Sequence, residues 1–171
     1  MGFVLLLGGA RSGKSSLAYR MAADSGLEVT CVATAGAGDA EMTERIERHR
    51  QARPGAWATV EEPLELGAAV RAVDAGRFLI VDCLTLWVAN LLGADRAAEE
   101  IVTLAREVAS ELSRKSAVVV TNEVGLGVVP ANELARTFRD VLGLVNAEFA
   151  ACAERSLLMV AGRTLELAPP G

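Results

Sequence analysis

Aromatic side chains and histidine are scarce in this chain of 171 residues, in which aromatics make up 4% and histidine occurs once. So few aromatic side chains argue against a surface on which nucleic-acid bases stack. The net charge of -5 points the same way, because a nucleic-acid binder needs a basic surface. We therefore expect no nucleic-acid partner and a small-molecule substrate.

The chain also lacks long apolar runs and paired cysteines. It contains no run of about 18 uninterrupted apolar residues, so no membrane span is expected. Cys31, Cys83 and Cys152 show no metal-ligand or redox spacing, which indicates reduced thiols in a reducing compartment. The apolar stretch Phe3–Leu7 stops at Gly8 and leaves no room for a cleavable signal. These features predict a cytoplasmic protein.

Apolar residues are abundant, at 51% of the chain against 23% charged, and they fall into short runs that alternate with helical patterns. This alternation predicts an α/β fold, with a mainly parallel sheet flanked by helices in a single domain over residues 1–171. The predicted strands cover 3–7, 28–34, 77–82, 117–121, 157–161 and 164–167, the last two forming a C-terminal hairpin joined by Gly162 and Arg163. The predicted helices cover 14–24, 39–51, 64–73, 84–92, 97–114 and 132–154.

A glycine-rich loop between the first predicted strand and helix satisfies the pattern G-x-x-x-x-G-K-[ST]. Its residues are Gly8, Gly9, Ala10, Arg11, Ser12, Gly13, Lys14 and Ser15. Backbone N–H groups of such a loop, together with the following helix start, bind phosphate oxygens. We expect Lys14 to reach the β- and γ-phosphates of a nucleoside triphosphate and the Ser15 hydroxyl to bind Mg²⁺. The pattern and its context predict a P-loop NTPase fold.

Asp82 ends the apolar run of the third predicted strand. An acid in this position binds or orients Mg²⁺ in P-loop enzymes, whereas elsewhere it serves as a turn residue. The phosphate loop favours the metal role, so Ser15 and Asp82 are the candidate metal ligands.

His49 lies in a charged predicted helix, and two interpretations of it stay open. Helical spacing places it on a face with two apolar side chains, as expected for a residue at the edge of a core. Alternatively, Arg45, Arg50 and Arg53 gather positive charge near the imidazole, which favours a neutral, nucleophilic histidine and attracts phosphates. Glutamates of the same helix could instead pair with these arginines.

Beyond these features, the sequence resembles one family, the bifunctional adenosylcobinamide kinase/adenosylcobinamide-phosphate guanylyltransferases of cobalamin biosynthesis. The resemblance runs from residue 3 to the terminal hairpin, and the run Thr121–Gly125 with the downstream Arg139, Asp140 and Asn146 is more specific than the P-loop. The other matching positions are Ala33-Thr34, Glu41-Met42, Arg45-Ile46, His49, Arg53-Pro54, Val129-Pro130, Asn132, Leu134–Arg136, Phe138, Gly143 and Val145.

The resemblance implies two reactions on a corrinoid substrate. A nucleoside triphosphate, ATP or GTP, phosphorylates adenosylcobinamide; GTP then guanylylates a histidine, which passes GMP to adenosylcobinamide phosphate and gives adenosylcobinamide-GDP. It implies that His49 carries the GMP, that Lys14 is catalytic, and that the protein is a homotrimer. The implied GTP contacts outside the P-loop are Ala33, Thr34, Ala35, Arg50, Gln51, Ala52, Arg53, Glu61 and Asp82.

Two other functions fit the P-loop without the resemblance. One is a small-molecule kinase with no covalent intermediate, in which His49 is dispensable. The other is a non-catalytic nucleotide-binding regulator, although no guanine-binding Asn-Lys-x-Asp motif is present. The role of Glu123 is also left open between two interpretations. It is either a metal ligand or proton acceptor, or a turn residue.

Overall fold

The computed structural model describes residues 1–36, 50 and 53–169. The strands described are β1 (Gly2–Gly8), β2 (Val29–Ala33), β3 (Ala58–Glu61), β4 (Phe78–Asp82), β5 (Ser116–Val120), β6 (Arg155–Val160) and β7 (Arg163–Leu167). The helices are α1 (Lys14–Asp24), α2 (Leu66–Ala72), α3 (Leu84–Gly93), α4 (Ala98–Leu112) and α5 (Glu133–Cys152). The helix predicted over 39–51 lies outside the described residues, apart from Arg50.

All seven strands form one sheet in the order β3-β2-β4-β5-β1-β6-β7. Every neighbouring pair is parallel except β6 and β7, which form an antiparallel hairpin. The predicted α/β fold with a mainly parallel sheet and a C-terminal hairpin is thus confirmed.

Helices cover both faces of the sheet, which explains why its central strands are apolar on both sides. On one face, Phe3, Leu5 and Val119 belong to a large core that also contains buried residues of α2 to α5. On the other face, Leu6 and Val118 belong to a smaller core with α1. None of the helices within the described ranges is both long and apolar enough to cross a membrane.

Three details differ from the predictions. β3 was not predicted, because its four residues are all exposed and form no apolar run; it is an edge strand paired only with β2. The hairpin turn is Ala161-Gly162 rather than Gly162-Arg163. Ala161 and Gly162 have positive φ angles, 50° and 74°, as the two central residues of such a turn require. The helical spacing of Leu134, Phe138, Val141, Val145 and Phe149 predicts an apolar face of α5, but Leu134 is 67% exposed, whereas Val141, Val145 and Phe149 are buried.

A buried polar network fixes the chain just beyond β5. The Thr121 hydroxyl donates to Asn146 Oδ1 at 2.7 Å, and Asn146 Nδ2 donates to the Asn122 carbonyl at 3.0 Å. The Asn122 N–H donates to Thr85 Oγ1 at 2.8 Å, which adds α3 to the network. Because Thr121 and Asn146 are 0% and 5% exposed, water cannot readily replace these bonds.

We predict that Asn146→Ala lowers the free energy of unfolding by about 1–3 kcal/mol, since it leaves buried polar groups unpaired. Alanine's better helix propensity offsets this by at most ~0.7 kcal/mol. Urea unfolding measures the change, with Leu144→Ala on the exposed side of the same helix as the control. Equal losses in the two variants would contradict the importance of the network.

Candidate nucleotide site

The parallel register aligns the carboxyl ends of five strands at one edge of the sheet. Ala33 at the end of β2 pairs with Glu61 of β3 on one side and with Asp82 of β4 on the other. Asp82 in turn pairs with Val120 of β5, which pairs with Leu6 of β1. The loop that follows β1 therefore emerges at the same edge as these acids, where parallel sheets bind ligands.

The P-loop lies between β1 and α1 as predicted, and it is braced from two sides. The Glu123 N–H donates to the Gly8 carbonyl at 3.2 Å, and the Gly162 N–H of the hairpin turn donates to the Ser12 carbonyl at 3.1 Å. Gly13 has a φ of 97°, a conformation that glycine adopts without strain. Both hydrogen bonds are accepted by carbonyl groups of the loop, so they hold the loop in one shape without occupying the N–H groups of the loop.

The Lys14 ammonium is held inside this loop. Its Nζ donates to the carbonyls of Gly8 and Gly9 at 2.9 and 2.6 Å, and it lies 3.3 Å from Ser12 Oγ. The residue is only 7% exposed. A buried cation at the start of a helix makes the loop a site for anionic groups, phosphates above all.

Ser15 and Asp82 fit a divalent cation through their chemistry and their placement. Ser15 and Tyr19 are four residues apart on α1 and so share a face of the helix. The Tyr19 hydroxyl donates to Asp82 Oδ2 at 3.4 Å, which shows that this face is turned towards the end of β4. A hydroxyl and a carboxylate are oxygen ligands of the kind that Mg²⁺ prefers when phosphates supply others. Among the described residues, no group of three or more acidic, histidine or cysteine side chains offers another such site.

Arg53 and Tyr19 enclose the Asp82 carboxylate. Arg53 Nη2 lies 3.6 Å from Asp82 Oδ2, with the two side chains 8% and 10% exposed, and Arg53 Nε donates to Tyr19 Oη at 3.3 Å. Burial, and secondarily the charge of Asp82, raise the pKa of Tyr19 to about 12. Burial likewise raises the pKa of the Cys31 thiol to about 12 and that of Cys83 to about 11. The phenol and both thiols therefore stay protonated at neutral pH.

The end of β2 is tied to the end of β4 by Thr34. Its hydroxyl donates to the Cys83 carbonyl at 2.6 Å and accepts from the Cys83 N–H at 2.9 Å. Asn90 Nδ2 donates to the Thr34 carbonyl at 2.7 Å. The predicted segment Ala33–Ala35 is thereby fixed beside Asp82.

The structure thus brings together the P-loop, Ala33–Ala35, Arg53, Glu61 and Asp82 at one sheet edge. Arg50 and Glu61 are exposed. His49, Gln51 and Ala52 lie outside the described residues. The Glu123 carboxylate accepts a hydrogen bond from the Gly125 N–H, which supports its interpretation as a turn residue.

Sequence reasoning missed Tyr19, Thr85 and Asn90. Tyr19 is the only tyrosine of the chain, and it follows Ser15 by one helical turn. That spacing was a usable signal once Ser15 had been proposed as a metal ligand. The side chains of Thr85 and Asn90 form hydrogen bonds with backbone groups of other segments, and no local sequence pattern identifies them.

Comparison with known proteins gives a family match that covers nearly the whole chain. Residues 4–167 match the family described as cobinamide kinase / cobinamide phosphate guanyltransferase. A Pseudomonas aeruginosa protein named bifunctional adenosylcobalamin biosynthesis protein CobP is 50% identical, over 95% of this chain and 95% of its own length. The Escherichia coli bifunctional adenosylcobalamin biosynthesis protein CobU is 40% identical, over 93% of this chain and 96% of its own.

Solved structures confirm the P-loop NTPase fold. The RadB recombinase has a TM-score of 0.52 at 16% identity, covering 92% of this chain and 73% of that one. The flagellar accessory protein FlaH from Methanocaldococcus jannaschii has a TM-score of 0.51 at 17% identity, covering 95% and 74%. At such low identity these likenesses concern the fold alone.

Two neighbouring glycines of the loop provide a matched test of its packing. At Gly8, with φ of 153°, an added Cβ would lie 2.3 Å from the Met159 carbonyl oxygen, whereas at Gly9 it would meet nothing within 4 Å. We predict that Gly8→Ala lowers the free energy of unfolding by about 3 kcal/mol and that Gly9→Ala changes it by no more than ~0.5 kcal/mol. Denaturant titration of both variants measures this, and equal stability would contradict the close approach of β6 to the loop.

Proposed function

Because this chain belongs to the cobinamide kinase / cobinamide phosphate guanyltransferase family, we propose that both reactions of the family run on its one P-loop. The chain is an enzyme of this bifunctional type, as are its relatives. Residues 1–171 act as one nucleotide-binding and transferase unit. The observation that carries the proposal is the P-loop with its buried Lys14, set at the same sheet edge as Asp82 in a chain of this family.

The first reaction phosphorylates adenosylcobinamide with ATP or GTP. The aminopropanol oxygen attacks the γ-phosphorus, the bond from that phosphorus to its bridging oxygen breaks, and the nucleoside diphosphate leaves with the electron pair. The hydroxyl proton passes to solvent or to a nearby base. The loop N–H groups bind the phosphates, and Lys14 turns from its own loop carbonyls to the β- and γ-oxygens. Positioning and neutralisation of charge do most of the work in such a transfer.

Ser15 and Asp82 hold Mg²⁺ in this proposal, Ser15 through its hydroxyl and Asp82 directly or through water. When bound, the cation neutralises charge on the phosphates and on the departing group. The chain's own contribution is to keep the two oxygen groups on facing elements, α1 and β4.

The second reaction uses His49 as a nucleophile towards GTP. An unprotonated imidazole nitrogen forms a bond to the α-phosphorus while the bond to the bridging oxygen breaks, and pyrophosphate leaves with the electron pair. A phosphate oxygen of adenosylcobinamide phosphate then attacks the same phosphorus, and the P–N electron pair returns to His49. Outside the P-loop, the GTP contacts are Ala33, Thr34, Ala35, Arg50, Gln51, Ala52, Arg53, Glu61 and Asp82.

The proposal also includes a location and an assembly. The reduced cysteines indicate the cytoplasm, and the family resemblance indicates a homotrimer; adenosylcobinamide and its phosphate are the partners, with no nucleic acid. Sedimentation equilibrium tests the assembly, since a trimer has three times the 17.9 kDa mass of the chain.

We predict that protein incubated with Mg²⁺ and GTP labelled at the α-phosphorus with ³²P retains label after denaturation. The label should be lost in acid and kept in alkali, because a P–N bond breaks on protonation of the imidazole. His49→Asn should bind GTP, retain no label, and still phosphorylate cobinamide. A wild-type protein that binds GTP and phosphorylates cobinamide yet retains no label would contradict the histidine route and leave a plain kinase.

Lys14→Met tests the P-loop itself. Loss of the buried ammonium should lower both activities by about a hundredfold or more, because the charge stabilises transferring phosphates in each step. Steady-state rates of phosphorylation and of guanylyl transfer measure this. Undiminished activity in either assay would place that reaction at another site.

A further inference from the structure

Asn122 follows the end of β5, at the point where the chain runs alongside the start of the P-loop. The Thr121 N–H donates to the Leu6 carbonyl at 2.9 Å. The Glu123 N–H donates to the Gly8 carbonyl at 3.2 Å, one rung further along. These two bonds continue the parallel pairing of β5 with β1 by two residues. Asn122 therefore lies opposite Gly8, the first residue of the P-loop.

The side chain of Asn122 belongs to the face of the sheet that α1 covers. Along β5, Val118 and Val120 lie in the core beneath α1, whereas the Thr121 hydroxyl bonds to α5 on the opposite face. Successive side chains of an extended chain alternate between the two faces, so Asn122 shares the face of Val120. Asp82, whose carboxylate accepts a hydrogen bond from α1, lies on this face too.

Both backbone groups of Asn122 are held by side chains from other elements. Its N–H donates to Thr85 Oγ1 at 2.8 Å, and its carbonyl accepts from Asn146 Nδ2 at 3.0 Å. Asn146 is 5% exposed, so the second bond is shielded from water. A residue held at both backbone groups presents its side chain within a narrow range of positions, as a preorganised catalytic group must.

The carboxamide of Asn122 has no hydrogen-bond partner within the described ranges of the chain, and the residue is half-buried. Every fully buried side-chain nitrogen or oxygen in those ranges does have a partner, so the carboxamide is open to a ligand. A carboxamide offers two N–H donors and carries no charge. A polar group that is fixed at its backbone but unpartnered at its tip adds little to the fold and suits the binding of a ligand.

The nearest ligand group in the proposed function is the γ-phosphate. There Lys14 reaches the β- and γ-phosphates, and its ammonium lies 2.9 Å from the carbonyl of Gly8. Neighbouring strands of a sheet are about 4.8 Å apart. Since Asn122 is opposite Gly8, its carboxamide lies beside the part of the loop that binds the terminal phosphate.

We propose that Asn122 is a catalytic residue for the phosphorylation of cobinamide, and that its carboxamide N–H donates to an oxygen of the γ-phosphoryl group. This rests on the proposed function, in which the P-loop binds the nucleoside triphosphate. As the aminopropanol oxygen attacks the γ-phosphorus and the bond to the bridging oxygen breaks, negative charge is spread over the γ-oxygens. A donor already fixed in place stabilises that charge without reorganisation. No proton leaves Asn122 in this step.

Asn122→Ala tests the proposal, because it removes the carboxamide and keeps both backbone hydrogen bonds. The kcat of cobinamide phosphorylation should fall about ten- to a hundredfold, the effect of losing a fixed donor to a charged group. Asn122→Asp keeps the shape but replaces the donor with a negative charge, and it should lower kcat at least as much. Because a carboxamide does not titrate, the pH profile of kcat should keep its wild-type shape in Asn122→Ala.

Binding and stability measurements separate a lost contact from a distorted loop. The affinity of Asn122→Ala for the β,γ-imido analogue of GTP should fall about fivefold. Its affinity for GDP should stay at the wild-type value, because GDP has no γ-phosphate. The urea midpoint should also stay unchanged, since the carboxamide has no partner to lose within the described ranges. Asn146→Ala is the matched control, because it removes a support of the same residue and should lower that midpoint.

Three outcomes would overturn the role of Asn122. They are a wild-type kcat in Asn122→Ala, an active Asn122→Asp, and equal losses of affinity for GDP and for the imido analogue. A wild-type protein that binds both nucleotides yet does not phosphorylate cobinamide would contradict the proposed function instead. The ratio of the two affinities still tests the contact of Asn122 in that case, so the two failures are told apart.

Discussion

The parallel pairing of β1, β5, β4 and β2 is the constraint on which the rest of the site depends. Each strand is buried on both faces, so a shift of its pairing by one residue would move its side chains from one close-packed core into the other. The register that results sets Val120 opposite both Leu6 and Asp82, and Asp82 opposite Ala33. Elements distant in sequence therefore end at the same edge of the sheet. Their polar residues meet there although no local sequence pattern links one to another.

Much of this arrangement could be predicted from local patterns. The predicted bounds of α1 agree with the structure at both ends, because a P-loop lysine begins the helix and Gly26, at a φ of 68°, lies just beyond its end. The apolar runs of β1, β4 and β5 predicted buried strands, and the predicted bounds agree with the structure to within one or two residues. β3 was not predicted, because the residues of this edge strand are exposed and form no apolar run. Only its pairing with β2 defines it as a strand.

The site was less accessible to prediction than the fold, for a reason that Tyr19 illustrates. The P-loop and Asp82 carry their chemistry in a local pattern, a glycine-rich loop and an acid after an apolar run. Tyr19 matters only because the folded chain brings Asp82 and Arg53 to its hydroxyl. The same holds for Asn146. The resemblance of the sequence to the family identified this residue, yet its hydrogen bonds to Thr121 and Asn122 depend on how α5 packs beside β5.

Two phosphorus transfers on one nucleotide site pose a geometric problem, since the γ- and α-phosphorus atoms are several ångströms apart along the same chain. A single rigid loop cannot present both to one attacking group. The P-loop is braced by Glu123 and Gly162, and in the function proposed above it binds the phosphates in both reactions. In the function proposed above, the nucleophile is what differs: a diffusing hydroxyl attacks the γ-phosphorus, and the His49 imidazole, which belongs to the chain itself, attacks the α-phosphorus.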